Sequence, residues 1–220
     1  IGSWVEMRNT GLQDTAAPNH PNAYQFFMTG KIAASGNIMY LLDKTGEKDS
    51  VTEACFFSLF YNCSSLTTAP ELPATTLADD CYNTMFYGCS ALTTAPELPA
   101  ITLASACYYA MFYNCSNVTT APNILPATKL ADSCYNTMFS YCSSLTTAPE
   151  LPATTLTEGC YKWMFYGCSK LKINQNGAGA KIFTCPDTSG IIDPVNWMFS
   201  YTGGTFTDTP TAGNTYNWYN

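Results

Sequence analysis

Eleven cysteines and a single histidine are the residues of this 220-residue chain that most obviously could do chemistry. Ten of the cysteines form two interleaved series. Cys55, Cys81, Cys107, Cys134 and Cys160 are 26, 26, 27 and 26 residues apart, and Cys63, Cys89, Cys115, Cys142 and Cys168 keep the same intervals. Structural zinc takes four ligands, usually from cysteine pairs two to four residues apart, and no such pair occurs. Disulfides are the default in a secreted chain, but the total is odd. The placement argued below predicts that these ten are reduced and buried. Cys185 falls outside both series and is expected to be accessible. His20 lies in the Pro-rich stretch 17–22. Neither a Ser-His-Asp set nor a Cys-His pair can be built on it, so an exposed loop residue is expected.

Three further sets recur with the repeat. Glu71, Glu97 and Glu150 share one place, with Asn123 interrupting them. Two carboxylates could act as a glycosidase pair or hold a weakly bound calcium, but copies of one acid fit a solvated edge better. The threonine pairs Thr67/Thr68, Thr93/Thr94, Thr119/Thr120 and Thr146/Thr147 could order water or ice. They fit ordinary outward strand positions better, because β-branched residues are favoured there. Tyr87, Tyr113 and Tyr166 form a column whose fourth place holds Ser140, and Tyr109 and Trp163 stand nearby. Exposed aromatics give contact area at low entropic cost. These five residues are therefore the candidate ligand-contact surface, the alternative being partial burial between neighbouring helices. No catalytic, cofactor-binding or metal-ligating set emerges, so the chain is expected not to be an enzyme and to need no cofactor.

All of these positions are set by one repeat, which is the first thing to seek in a sequence. The segment CYNTMFYGCSALTTAPELPAITLASA from Cys81 is nearly copied by CYYAMFYNCSNVTTAPNILPATKLADS from Cys107. Each unit reads as a short helix, an extended segment and a loop. Asp79, Ser105, Asp132 and Thr157 are good N-cap types. Cys81, Met85 and Cys89 are four apart, as are Tyr82 and Phe86, which gives one apolar face at helical spacing. Asn62, Gly88, Asn114 and Gly167 tolerate the left-handed conformation that ends a helix, whereas Tyr141 breaks the rule and predicts a different end. Leu92–Pro96 reads as extended, with Pro96 better placed at a strand end than inside one, and Leu103 packs inward. Stacking such units buries faces that no single unit can bury. The fold class expected is α/β, a right-handed leucine-rich-repeat-like solenoid of short helix plus short parallel strand per 26-residue coil. Residues 1–30 read as an N-terminal extension or linker, 31–54 as an N-terminal cap, 55–173 as the repeat solenoid, and 174–220 as an insertion and degenerate C-terminal cap. In such a stack Phe199, in the terminal echo of the repeat, is expected to matter less to stability than the central Phe112.

Composition narrows the partners. Charged residues are only 11% of the chain, and the net charge is −7. No basic stripe exists to displace counterions from phosphates, so a nucleic-acid partner is not expected. No run of 18 apolar residues occurs, so nothing here spans a membrane as a helix. The sequence opens on Ile1, not Met, which reads as a fragment or a processed form, with any signal peptide lying outside it.

The pattern MFYGCSALTTAPELPATTLADDCY resembles the BspA-like leucine-rich-repeat family of bacterial surface proteins. More narrowly, it is similar to the 26-residue MF-x-G-C-x-x-L repeat domain of gut Bacteroidetes and some phage proteins. The resemblance runs from about Gly36 to Phe206. It takes in SGNIMYLL at Ser35–Leu42 and VNWMFSYTGGTF at Val195–Phe206. It implies a non-enzymatic, extracellular or cell-surface adhesion module, presenting its surface to a protein or glycan on a host or neighbouring cell. The alternative is a structural spacer or tail-fibre-type element of a phage virion or cell envelope. The resemblance supplies no catalytic residues.

Overall fold

The computed structural model describes residues 25–26, 30–43, 45–175 and 181–218. His20 lies outside them. The expected α/β class of helix plus strand is not formed. Among the described residues there is no α-helix, only a 3-10 turn at Ile38–Leu41, and the strands are six short pieces. Among these residues no helix is long and apolar enough to cross a membrane.

The four-residue spacing that mimics a helix has another cause. In the repeat that begins near Cys81, the backbone turns left-handed at every fourth residue: Asp80 at φ 56°, Thr84 at 53° and Gly88 at 70°. An α-helix uses every N–H on the carbonyl four residues back and has no place for such residues. Here the N–H groups alternate between two partners. Those of Cys81, Asn83, Met85, Tyr87 and Cys89 bond locally, to Ala78, Asp80, Tyr82, Thr84 and Phe86. Those of Asp80, Tyr82, Thr84, Phe86 and Gly88 bond to carbonyls of the next repeat, on Ser105, Cys107, Tyr109, Met111 and Tyr113. Each repeat is thus a chain of turns whose remaining donors tie it to its successor. The same ladder continues through Tyr135→Cys160 and Phe165→Met198. A turn of two outward and two inward residues also repeats every four, so hydrophobic spacing alone cannot tell the two structures apart.

The cap-type residues have new partners as well. The Asp79 carboxylate accepts from the backbone N–H of Ser105 at 2.9 Å, and that of Asp132 from Glu158 N–H at 3.2 Å. They serve the neighbouring repeat and not a helix of their own. The left-handed conformation expected at Asn62, Gly88, Asn114 and Gly167 is present, with φ of 56°, 70°, 58° and 73°. Tyr141 adopts it too, at 61°.

Stacking in register puts like on like. Phe60, Phe86, Phe112, Phe139 and Phe165 form one column of nearly parallel rings with centroids 5.3–5.8 Å apart. Tyr82, Tyr108, Tyr135 and Tyr161 form another at 5.8 Å. Together with the Cys and Met columns and Leu92, Val118, Leu145 and Leu171, they make one buried core. Phe26 joins its N-terminal end: its ring lies 5.2 Å from Phe60, and its N–H bonds to Leu59.

Strands appear at the two ends of the stack. β1 (Ile32–Ala33) pairs parallel with β2 (Leu66–Thr68). The central repeats contribute only isolated parallel bridges, such as Thr94 to Thr120 and Thr120 to Thr147. In them a proline (Pro96, Pro122, Pro149) follows the threonines and removes a donor, which ends pairing, as Pro70 does just after β2. The last repeat has Gln175 in that place, and its strand β3 (Lys172–Gln175) runs on. With β4 (Lys181–Thr184), β5 (Gly203–Gly204) and β6 (Thr215–Trp218), it forms a sheet in the order β4-β6-β3-β5. β5 lies so close to β3 that a Cβ on Gly204, at φ 90°, would meet the Ile173 oxygen at 2.3 Å. Only glycine fits there. The sheet docks on the stack through the Trp218 indole N–H, which donates to Ala148 O at 2.9 Å.

Candidate ligand-contact surface

The outward side of the turn ladder carries a row of tyrosines. Tyr61, Tyr87 and Tyr113 stack face to face at 4.7 Å. The next repeat has Ser140 in this column, and its neighbour Tyr141 supplies the ring instead. From its left-handed position Tyr141 packs edge-on between Tyr113 at 5.3 Å and Tyr166 at 5.4 Å. Tyr201 repeats the device after Ser200 and meets Tyr166 at 5.0 Å. Gly167 makes room for this packing, since a Cβ there would lie 2.9 Å from the Tyr141 ring. Of the five predicted residues, Tyr87, Tyr113 and Tyr166 thus come together in one ladder of half-buried rings. Their partial burial arises from each other and not from helices. Tyr109 is half-buried and makes none of these ring contacts, and Trp163 stands in a different column.

That second column holds Ser58, Thr84, Ala110, Thr137, Trp163 and Trp197, all left-handed, at φ 48–59°. The first four are small. The last two are indoles, exposed by 36% and 50%. Lys162 Nζ sits 4.6 Å from the Trp163 ring centre and pairs with Asp193 Oδ2 at 2.7 Å. Asp193 Oδ1 accepts from Asn196 Nδ2 at 2.6 Å. Tyr141 and Tyr201 are 43% and 66% exposed. Large exposed aromatics therefore gather on the last repeats. Sequence reading missed Tyr61, Tyr141, Trp197 and Tyr201. The Ser-Tyr order at 140–141 and 200–201, inverted from Tyr-Gly and Tyr-Asn, was the available signal.

The glutamates are exposed, as a solvated edge requires, but the edge has an unforeseen partner. Lys181 reaches back from β4 and donates to Asn123 O at 2.7 Å and Oδ1 at 2.8 Å. Burial lowers the pKa of its ammonium, and Glu150 and Glu97 act against that shift. A neutral acceptor is thus in place where the glutamate column breaks. The threonine ladder is also engaged: the Thr119 and Thr146 hydroxyls donate to Thr93 O and Thr119 O of the preceding repeats at 3.3 and 3.4 Å.

None of the eleven cysteines is in a disulfide, and all are buried. Placing the ten repeat cysteines on stacked helices would have kept like cysteines too far apart to bridge, but there are no such helices, and like cysteines sit on adjacent repeats. Parallel neighbours lie about 4.8 Å apart, inside the range a disulfide spans. The second column is held by hydrogen bonds instead. Cys63, Cys89, Cys115, Cys142 and Cys168 donate S–H to the carbonyls of Phe26, Phe60, Phe86, Phe112 and Phe139 at 3.0–3.1 Å. From Phe60 onward, the same carbonyls take the N–H of the cysteine three residues on, so both lone pairs are used. Cys185 corrects a second expectation. It is 1% exposed, on the end of β4 beside Cys160. Burial pushes the Cys81 thiol up to about 12 and those of Cys63, Cys160 and Cys185 to about 11. A small alkylating reagent is therefore expected to modify no thiol in native buffer and all eleven in denaturant without reductant. A fast-reacting native thiol would contradict the burial of Cys185.

Among the described residues no group of three or more His, Cys, Asp or Glu side chains could hold a metal ion. Comparison of the chain with protein-family models, with curated proteins and with solved structures gives no match.

Proposed function

We propose that the chain is a non-enzymatic extracellular interaction module that binds a protein or glycan through the aromatic end of its turn ladder. The observation that carries this is the placing of Tyr141, Trp163, Trp197 and Tyr201 at left-handed positions, at φ 55–61°. Bulky side chains are disfavoured there, and the other repeats use small or polar residues at most of the same places. Backbone strain that holds large aromatic rings while leaving about a third to two-thirds of each exposed is the signature of a site kept for contact. The resemblance to BspA-like surface proteins supports the same reading, as does the scarcity of charge.

The test is an array of glycans and host proteins probed with the purified chain. Tyr141→Asn and Tyr201→Asn restore the residue found at Asn62 and Asn114, so they should leave the fold intact. The expected result is a specific ligand whose binding drops about tenfold or more in the double variant. Binding to nothing on the array, or binding unchanged by both substitutions, would count against this face. A structural spacer or tail-fibre-type element remains the second reading. The uninterrupted register of the stack favours it, and it expects no ligand at all.

A further inference from the structure

The chemistry around Trp163 and Trp197 names a class of ligand. The two indoles hold the same place in successive repeats, and the N–H of Trp163 bonds to the carbonyl of Asn196, next to Trp197. Beside the indoles lie both kinds of hydrogen-bonding group: the Lys162 ammonium and the Asn196 amide as donors, the Asp193 carboxylate as acceptor. The lysine and aspartate neutralise each other, and the chain as a whole carries −7. A polyanion is repelled, and a cation finds its carboxylate taken.

Area argues further. Trp163, Trp197, Tyr141 and Tyr201, between about a third and two-thirds exposed, offer on the order of 400 Å² of aromatic surface. A stable protein interface takes about 800 Å² from each partner, so this patch alone is small for one. It suits a few sugar rings, whose C–H faces lie on aromatic rings while their hydroxyls meet the polar rim.

We infer that Trp163 and Trp197 form an aromatic contact surface for a neutral oligosaccharide, with Lys162, Asp193 and Asn196 bonding its hydroxyls. This rests on the interaction reading above and gives its ligand a chemistry. The experiment titrates the whole chain with cellohexaose, laminarihexaose and chitohexaose, and with hexagalacturonate as the charged control, by calorimetry and indole fluorescence. Trp163→Thr and Trp197→Thr install the residue already present at Thr84 and Thr137, and an unchanged melting midpoint shows that they fold. Saturable binding of at least one neutral hexasaccharide is expected, with indole emission shifted and affinity about tenfold weaker in each variant. No binding of any neutral hexasaccharide, equal binding of hexagalacturonate, or affinity unchanged in both variants overturns the proposal. A purified array protein bound equally by wild type and both tryptophan variants would overturn it while leaving the interaction reading in place. An empty array would remove both.

Discussion

Raising the pH above 9.0, the ordinary value for a cysteine thiol, is expected to unfold this protein over about one pH unit. Ten thiols are held above that value by burial: those of Cys63, Cys81, Cys89, Cys107, Cys115, Cys134, Cys142, Cys160, Cys168 and Cys185. Above pH 9.0 the unfolded chain releases these protons, but the folded chain keeps them until about 11 or higher. The folded state then binds more protons, so stability falls as pH rises. The thiols' contribution is fully present below 9.0 and is lost upward from there. Each group counts for about 1.4 kcal/mol per pH unit, and together they reach on the order of 10 kcal/mol per unit. That rivals the whole stability of an ordinary domain, about 5–15 kcal/mol. Buried Tyr82, Tyr108, Tyr135 and Tyr161 add to it above their ordinary 10.0. Near-ultraviolet dichroism and thiolate absorbance, followed on one sample, should change together in a single step. Thiols that ionise gradually from pH 9 while the dichroism holds would show that they are not buried as described.

Sequence showed that equivalent residues stack, and which of them face inward, because identity between repeats is itself the evidence. Phe86 lies on Phe112, and Cys89 is buried below Cys115, as the columns require. The backbone was not legible. Cys81, Met85 and Cys89 fit a helical face and a run of turns equally well, since both repeat every four residues. Asp80 and Thr84 were the discriminating residues, because they take left-handed φ in the middle of the segment. Asp80 is of a type that tolerates this conformation, but the β-branched Thr84 is not, so residue type did not announce the pattern. Only the ladder to the next repeat makes that conformation worthwhile, and a ladder is a property of neighbours 26 residues away. The tyrosine column was visible where the pattern held, at Tyr87, Tyr113 and Tyr166. It was hidden at Tyr141 and Tyr201, where a ring reaches the column from one residue along. Lys181 at the Asn123 carbonyl could not be foreseen, because the two residues are 58 apart and share no pattern.

Removing the Phe199 ring is expected to cost at least as much as removing the ring of Phe112, the reverse of what a simple stack implies. In a one-dimensional array a terminal unit has one neighbour and contributes less. Phe112 has the arrangement typical of the centre, with Phe86 at 5.4 Å on one side and Phe139 at 5.3 Å on the other. Phe199 has Phe165 beneath it at 6.1 Å, and above it four rings brought by the C-terminal segment. Phe183 of β4, Phe206, and Tyr216 and Trp218 of β6 lie at 6.3, 6.3, 5.7 and 6.3 Å. The sheet closes the stack as a further repeat would, so Phe199 is fully buried. Truncation there leaves a cavity between two units that can collapse only if the sheet tilts on the stack. Phe112→Ala and Phe199→Ala should each cost about 3–5 kcal/mol. Urea melts of both variants, followed by far-ultraviolet dichroism and by indole emission, should give one transition at a similarly lowered midpoint. A cost below about 1 kcal/mol for Phe199→Ala, or an indole transition well ahead of the dichroism, would mean that the sheet is an appendage and not the lid of the core.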